Sequence, residues 1–143
     1  MILPDVNVLI SAFRQDSPQH QVCRSWLRET IDGDAQFGLS PLVLSAVVRI
    51  TTSPRIFAMP AAIGEVFGFC EDLWQQPHCR IVEPGERHWE IFKRLCIDTN
   101  TRGPRVTDAW FAALAIEWGC EWITLDRDFA RFPALRWSAP ATV

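Results

Sequence analysis

From Thr107 to Trp118 only Thr107, Asp108 and Glu117 are polar, and apolar residues fill both the 109/112/113/116 and the 111/114/115/118 rows of the helix this stretch predicts. A helix that is apolar around nearly its whole circumference keeps no face for water and belongs in the interior. The rest of the chain must be arranged around it.

The surrounding segments alternate in kind. Ile2 to Pro4 predicts a short buried strand, followed by a turn and a helix from about Val8 to Phe13. Pro4 has no N–H to give a ladder, so pairing is expected to finish there. Ser17-Pro18 carries a helix-start signal for a helix that runs through Trp26 and Leu27 and ends before Asp32-Gly33-Asp34. A brief strand near Phe37-Gly38-Leu39 comes next. Ser40-Pro41 repeats the start signal for the apolar run Leu42 to Ile50, which stops at Thr51-Thr52-Ser53-Pro54. Pro60 introduces a helix whose Ile63, Val66, Phe67 and Cys70 recur at i, i+3, i+4 and i+7, predicting a single buried face. Cys79 to Val82 reads as a strand, Glu86 to Cys96 as a helix, and Asp98 to Arg105 as a loop. After the interior helix, which Gly119 ends, Trp122 to Leu125 predicts a strand and Leu135-Arg136-Trp137 a short closing one.

Strands alternating with helices predict an α/β fold, a three-layer α/β/α domain with a central parallel sheet. A chain of 143 residues, 48% hydrophobic, fits one such domain over 1–143 with a substantial core. No apolar run is long enough to cross a bilayer, and Asp5 with no preceding Lys or Arg spoils a secretory signal, so a cytoplasmic location is expected. The five cysteines are odd in number and contain no Cys-x-x-Cys pair, which excludes a disulfide framework and a zinc ribbon and leaves reduced, mostly buried thiols. His20 and Cys23 lie a helical turn apart, but the three histidines make no metal-finger pattern. The formal charge of -3 is not the basic footprint of a typical nucleic-acid binder.

Ligands of such sheets bind outside the carboxyl ends of the strands. Acids stand there: Asp5, with the carboxamide Asn7, follows the first strand, and Asp126 and Asp128 follow Ile123-Thr124-Leu125, while Asp108 sits at the mouth of the interior helix. Singly, each has an ordinary structural use as a cap, a dipole partner or a turn residue. Together they would repel, at about 4 kcal/mol per ionised pair for a separation near 4 Å and an effective dielectric near 20. A cation would offset that repulsion, and ligands that are all oxygen select a hard one, Mg2+ or Mn2+.

The motifs Asp5-Val6-Asn7-Val8-Leu9-Ile10, Asp108-Ala109 followed by Ala112-Ala113-Leu114-Ala115, and Thr124-Leu125-Asp126-Arg127-Asp128-Phe129 resemble the PIN domain in order and spacing, and more narrowly the VapC toxins of bacterial toxin–antitoxin pairs. Arg49-Ile50-Thr51-Thr52-Ser53-Pro54-Arg55-Ile56-Phe57 resembles a stretch of one VapC subgroup, so the likeness runs over nearly the whole chain. It implies a Mg2+- or Mn2+-dependent endoribonuclease that cuts structured RNA such as tRNA or rRNA, usually as a homodimer, with a small VapB-like antitoxin as inhibitor. Carried over by position, Asp5, Asp108 and Asp126 are the catalytic and metal-binding acids and Asp128 adjoins them. Asn7 and Thr124 orient carboxylates or substrate. Arg49, Arg102 and Arg105 are candidates for RNA phosphates, against the ordinary use of arginine as a solvated surface group. The expected reaction is in-line hydrolysis of a phosphodiester, leaving a 5′-phosphate and a 3′-hydroxyl.

The chain departs from the family at one place. Many members carry an acid on the helix after the second strand, where Leu42-Val43-Leu44-Ser45-Ala46 stands here; Ser45 in that run has two readings, a reach to the site through water and, favoured here, packing within the helix layer. A PIN-like module that binds RNA or an antitoxin without cutting therefore stays open as the alternative. A phosphatase with Asp5 as covalent nucleophile would want an acid where Asn7 stands and a well-placed lysine, and Lys93 is the only one. Mutual repulsion further predicts that, without metal, Asp108→Asn stabilises the fold.

Overall fold

The structure is a computed structural model and describes residues 1–141. Five short strands, β1 (Ile2–Pro4), β2 (Phe37–Leu39), β3 (Cys79–Ile81), β4 (Glu121–Ile123) and β5 (Trp137–Ser138), form one sheet in the order β3-β2-β1-β4-β5. Every neighbouring pair is parallel. Six helices flank it: α1 (Val6–Phe13), α2 (His20–Asp32), α3 (Pro41–Thr51), α4 (Ile63–Trp74), α5 (His88–Asp98) and α6 (Val106–Trp118). From β1 to β3 the chain steps outward in one direction, and from β3 to β4 it returns across the sheet. Right-handed crossovers then put α1 to α4 on one face and α5 with α6 on the other, giving the three expected layers.

Local signals explain most boundaries. Asp5 caps α1 through a bond from the Val6 N–H, and Ser40 caps α3 by accepting from the Val43 N–H, with Pro41 pre-set in the first turn. Helix α6 ends where Gly119 turns left-handed at φ 66°, a conformation that suits glycine. At Gly38 the requirement is room, since a Cβ there would stand 2.7 Å from the Val82 side chain. Pairing does not stop at Pro4: the residue opposes Ile123, and the Asp5 N–H continues the ladder with a 2.8 Å bond to the Ile123 carbonyl. The absent proline donor falls toward β2, where the pairing is limited to Ile2 with Phe37.

Other boundaries differ from the sequence expectation. Ser17-Pro18 forms a turn ahead of α2, which starts at His20 without a side-chain cap, and α1 begins at Val6 rather than Val8. Asp98 still belongs to α5, the run 99–105 is a loop except for a short 3-10 turn, Gly103–Arg105, and the closing strand falls at Trp137–Ser138. On α4 the expected single face is split: Val66, Cys70 and Leu73 are buried, whereas Ile63 and Phe67 are 60% and 48% exposed. A narrow stripe suffices for α4, which packs on α3 and β3 at the edge of the sheet and leaves Phe67 and Trp74 beside an apolar groove.

The centre of α6 is interior as its sequence requires, with Ala109 and residues 111–115 buried and Phe111 stacked on Trp122 of β4 at 5.4 Å. Trp118 at its end is 42% exposed, its indole N–H donating to the Glu83 carbonyl. All five cysteines are free thiols; Cys23, Cys70 and Cys120 are buried. His20 donates from Nδ1 to the Ser11 carbonyl at 2.9 Å. No helix among the described residues is long and apolar enough to cross a membrane.

Candidate active site

Asp5 leaves the central strand at its carboxyl end while still tied to the ladder by its own N–H, which fixes where its side chain starts. The carboxylate is 7% exposed. Oδ1 accepts from the Val6 N–H at 2.6 Å, and Oδ2 accepts from the Thr124 hydroxyl at 2.6 Å and from the Asn7 amide at 3.3 Å. Burial pushes the Asp5 carboxyl up from 3.8 to about 6, against the pull of the bonds from Thr124 and Val6, and the charges of Asp108 and Asp126 add to the rise.

Thr124, fully buried just beyond β4, joins both strand ends. While its hydroxyl donates to Asp5, the same oxygen accepts from the Asp126 N–H at 3.0 Å and from the Asn7 amide at 3.3 Å. Asn7 completes the bracket by accepting from the Leu125 N–H at 3.1 Å. One hydroxyl and one carboxamide therefore hold two chain segments in register at the sheet edge. Asp126 in turn caps a 3-10 turn, Arg127–Arg131, its Oδ1 accepting from the Asp128 N–H at 2.9 Å.

Asp108 reaches the same place from the first turn of α6. Asp5, Asp108 and Asp126, with Asn7, line one cavity of about 560 Å3. The opposite wall is α3, through Leu42, Ser45, Ala46, Arg49 and Ile50. Ser45 therefore opens to the cavity, exposed, instead of packing within the helix layer. The wall where many family members place an acid carries Leu42, Ser45 and Ala46 here.

The other candidates sit elsewhere. Asp128 is not on the cavity wall; its carboxylate is 62% exposed and stands 3.6 Å from Arg105 in a surface ion pair. Arg102 is exposed on the loop before α6, outside the cavity, and of the three candidate arginines only Arg49 lines it. One site residue escapes the sequence motifs: Arg131, at the end of the turn that Asp126 caps, donates from Nη2 to Asp108 Oδ2 at 3.2 Å. Its signal was its place five residues after Asp126, but a lone arginine among many does not announce a partner on another helix. As they stand, no three or more Asp, Glu, His or Cys side chains among the described residues are drawn together as the ligands of one ion.

Acidic side chains from three distant segments line a cavity at the carboxyl edge of a parallel sheet, the place where such sheets bind their ligands. Comparison with known proteins gives the family. The PIN domain profile matches residues 2–135. Ribonuclease VapC25 of Mycobacterium tuberculosis is 39% identical over 98% of this chain and 99% of its own, and Ribonuclease VapC31 of the same organism is 38% identical over equal shares. Among solved structures, VapBC2 from Rickettsia felis bound to a promoter DNA fragment superposes with a TM-score of 0.70 at 14% identity, over 97% of this chain and 98% of that one. VapC20 of M. tuberculosis, described as a Sarcin-Ricin loop cleaving toxin, gives 0.68 at 14% identity over 95% and 99%. These two speak to fold alone. The chain belongs to the PIN-domain family, in its VapC branch.

Proposed function

We propose that the chain is the ribonuclease toxin of a toxin–antitoxin pair: an endonuclease dependent on Mg2+ or Mn2+ that cuts structured RNA such as tRNA or rRNA in the cytoplasm, works as a homodimer, and is silenced by a VapB-like antitoxin. The observation that carries this reading is the meeting of Asp5, Asp108 and Asp126 on one cavity wall, two of them joined through the Thr124 hydroxyl. The relatives named as ribonucleases support the activity, and the fold shared with the toxin of the VapBC2 complex fits a VapB-like partner.

The donor set fits a hard divalent ion. All its atoms are oxygen, Asp5 is a buried acid whose charge lacks full compensation, and Asp108 Oδ1 and Asp126 Oδ2 accept no hydrogen bond from the described residues. Asp5, Asp108 and Asp126 would hold the ion, with Asp128 adjoining. When bound, such an ion supplies a Lewis acid for the phosphoryl group and for the attacking water. The chain does the rest: Thr124 and Asn7 keep Asp5 and Asp126 in fixed relation, Phe111 and Phe129 give the cavity an apolar lining, and Arg49 presents a guanidinium from the facing wall to an RNA phosphate. Arg102 and Arg105 would extend that basic contact along the loop before α6.

Leu42, Ser45 and Ala46 at the place of the familiar fourth acid favour the second reading, a module that binds without cutting. Incubating the purified chain with structured RNA in Mn2+ and sequencing the fragment ends separates the two. Cleavage leaving 5′-phosphates, abolished by Asp126→Asn, is expected; uncut RNA would leave the binding module standing.

A further inference from the structure

We propose that Arg131 is a built-in competitor of the metal: it pairs with the cavity acid Asp108, and a divalent ion must compete with it for that carboxylate. The inference rests on the metal-dependent reading above and deepens it. Arg131 is built into its position. Its side chain is 20% exposed, Nη1 donates to the Asp128 carbonyl at 2.9 Å, and the guanidinium carbon lies 4.5 Å from the centre of the Phe132 ring. The remaining arm, Nη2, is the one on Asp108 Oδ2 at 3.2 Å, with Asp108 itself 29% exposed.

Two observations point beyond a routine ion pair. Arg131 Nε is buried with no hydrogen-bond partner, one of only two such side-chain atoms among the described residues. An orphaned buried donor is unfavourable and persists where another interaction holds the group in place. The anchoring turn is also the one that Asp126 begins, so the same short segment delivers one of the cavity's acids and the charge that neutralises another. A doubly charged ion and a fixed guanidinium on the same carboxylate repel, so even an ion that enters at the open Oδ1 competes with Arg131 for the charge of Asp108.

Competition has a direction that mere support of Asp108 lacks. Calorimetric titration with Mn2+ should show Arg131→Gln binding about tenfold more tightly than wild type, and Arg131→Lys, which keeps the charge, within about threefold of it. Equal or weaker binding by Arg131→Gln would overturn the proposal, as would tenfold tighter binding by Arg131→Lys. Should the glutamine variant not fold, wild-type protein with 15N-labelled arginine suffices. Its Arg131 Nη signals should show hindered rotation in chelator and lose it as Mg2+ is added; signals unchanged at saturating Mg2+ would sink the competition. If wild type binds no Mn2+, or Asp126→Asn binds it equally well, the metal site itself is wrong and this inference falls with it.

Discussion

Two acids on the same cavity wall are held by different means. Asp5 is gripped by a backbone N–H, a buried hydroxyl and a carboxamide, all at the ends of paired strands, whereas Asp108 is steadied by a single long side chain from a 3-10 turn. The strand side is preformed and loses little freedom when a ligand arrives. The helix side is adjustable, because the Arg131–Asp108 contact is partly open to water and can be exchanged. One acid is fixed by the sheet, and the other by a contact that water can reach.

The largest effect should come from the rigid side. Asp5→Asn is expected to lower RNA cleavage about a thousand-fold, the loss of several kcal/mol of transition-state stabilisation, measured on labelled RNA at saturating Mn2+. Wild-type turnover by this variant would remove Asp5 from the reaction. Next is an unusual acid-side stability. Between about pH 4 and 6 the folded chain holds a proton on Asp5 that the unfolded chain, with the ordinary value of 3.8, has released. The sign follows: the stability from protonated Asp5 is fully present below 3.8 and is lost as pH rises through about 6. At roughly 1.4 kcal/mol per pH unit this is on the order of 3 kcal/mol. Denaturant titrations in chelator should show the fall, Asp5→Asn should flatten it, and a slope of opposite sign would contradict the burial of an uncompensated acid.

Smaller effects test the bracket and the outer charges. Thr124→Val keeps the shape but removes a buried hydroxyl that serves Asp5, Asp126 and Asn7, so a 10- to 100-fold loss of activity and about 1–3 kcal/mol of stability are expected, with Thr124→Ser restoring most of both. Equal behaviour of the valine and serine variants would show that packing alone matters there. Smallest is Arg105→Ala: its pair with Asp128 is exposed on both sides, so thermal melting should register less than about 1 kcal/mol. Asp108 changes an earlier expectation. Repulsion alone makes Asp108→Asn stabilising in chelator, but the structure gives Asp108 a partner whose Nε already lacks one, so removing the carboxylate should now destabilise.

Sequence periodicity carried the parallel α/β plan because α6 has no polar face and because Ser40-Pro41 and Gly119 punctuate it with backbone chemistry that depends on few neighbours. The acids were legible for the same reason: Asp5 and Asp126 interrupt apolar strands, and strand ends place them on one edge. What periodicity could not resolve is how wide a buried face must be. Ile63 and Phe67 fit the helical period of Val66 and Cys70, yet the edge position of α4 leaves only a stripe to cover. The Arg131–Asp108 pair was equally hidden, since it joins residues on separate elements and depends on where a short turn aims one side chain. Loop position likewise says nothing of the exposed ion pair that Arg105 makes with Asp128 at 3.6 Å.

The bond from Thr124 to Asp5 spans 119 positions of the chain. During synthesis the first of these residues leaves the ribosome long before the second exists, and an N-terminal fragment ending ahead of β4 has neither Asp126 nor the hydroxyl that settles Asp5. A chain still short of β4 therefore lacks the bond that fixes the Asp5 carboxylate at the edge of the sheet, and that edge takes shape only after most of the molecule has been made.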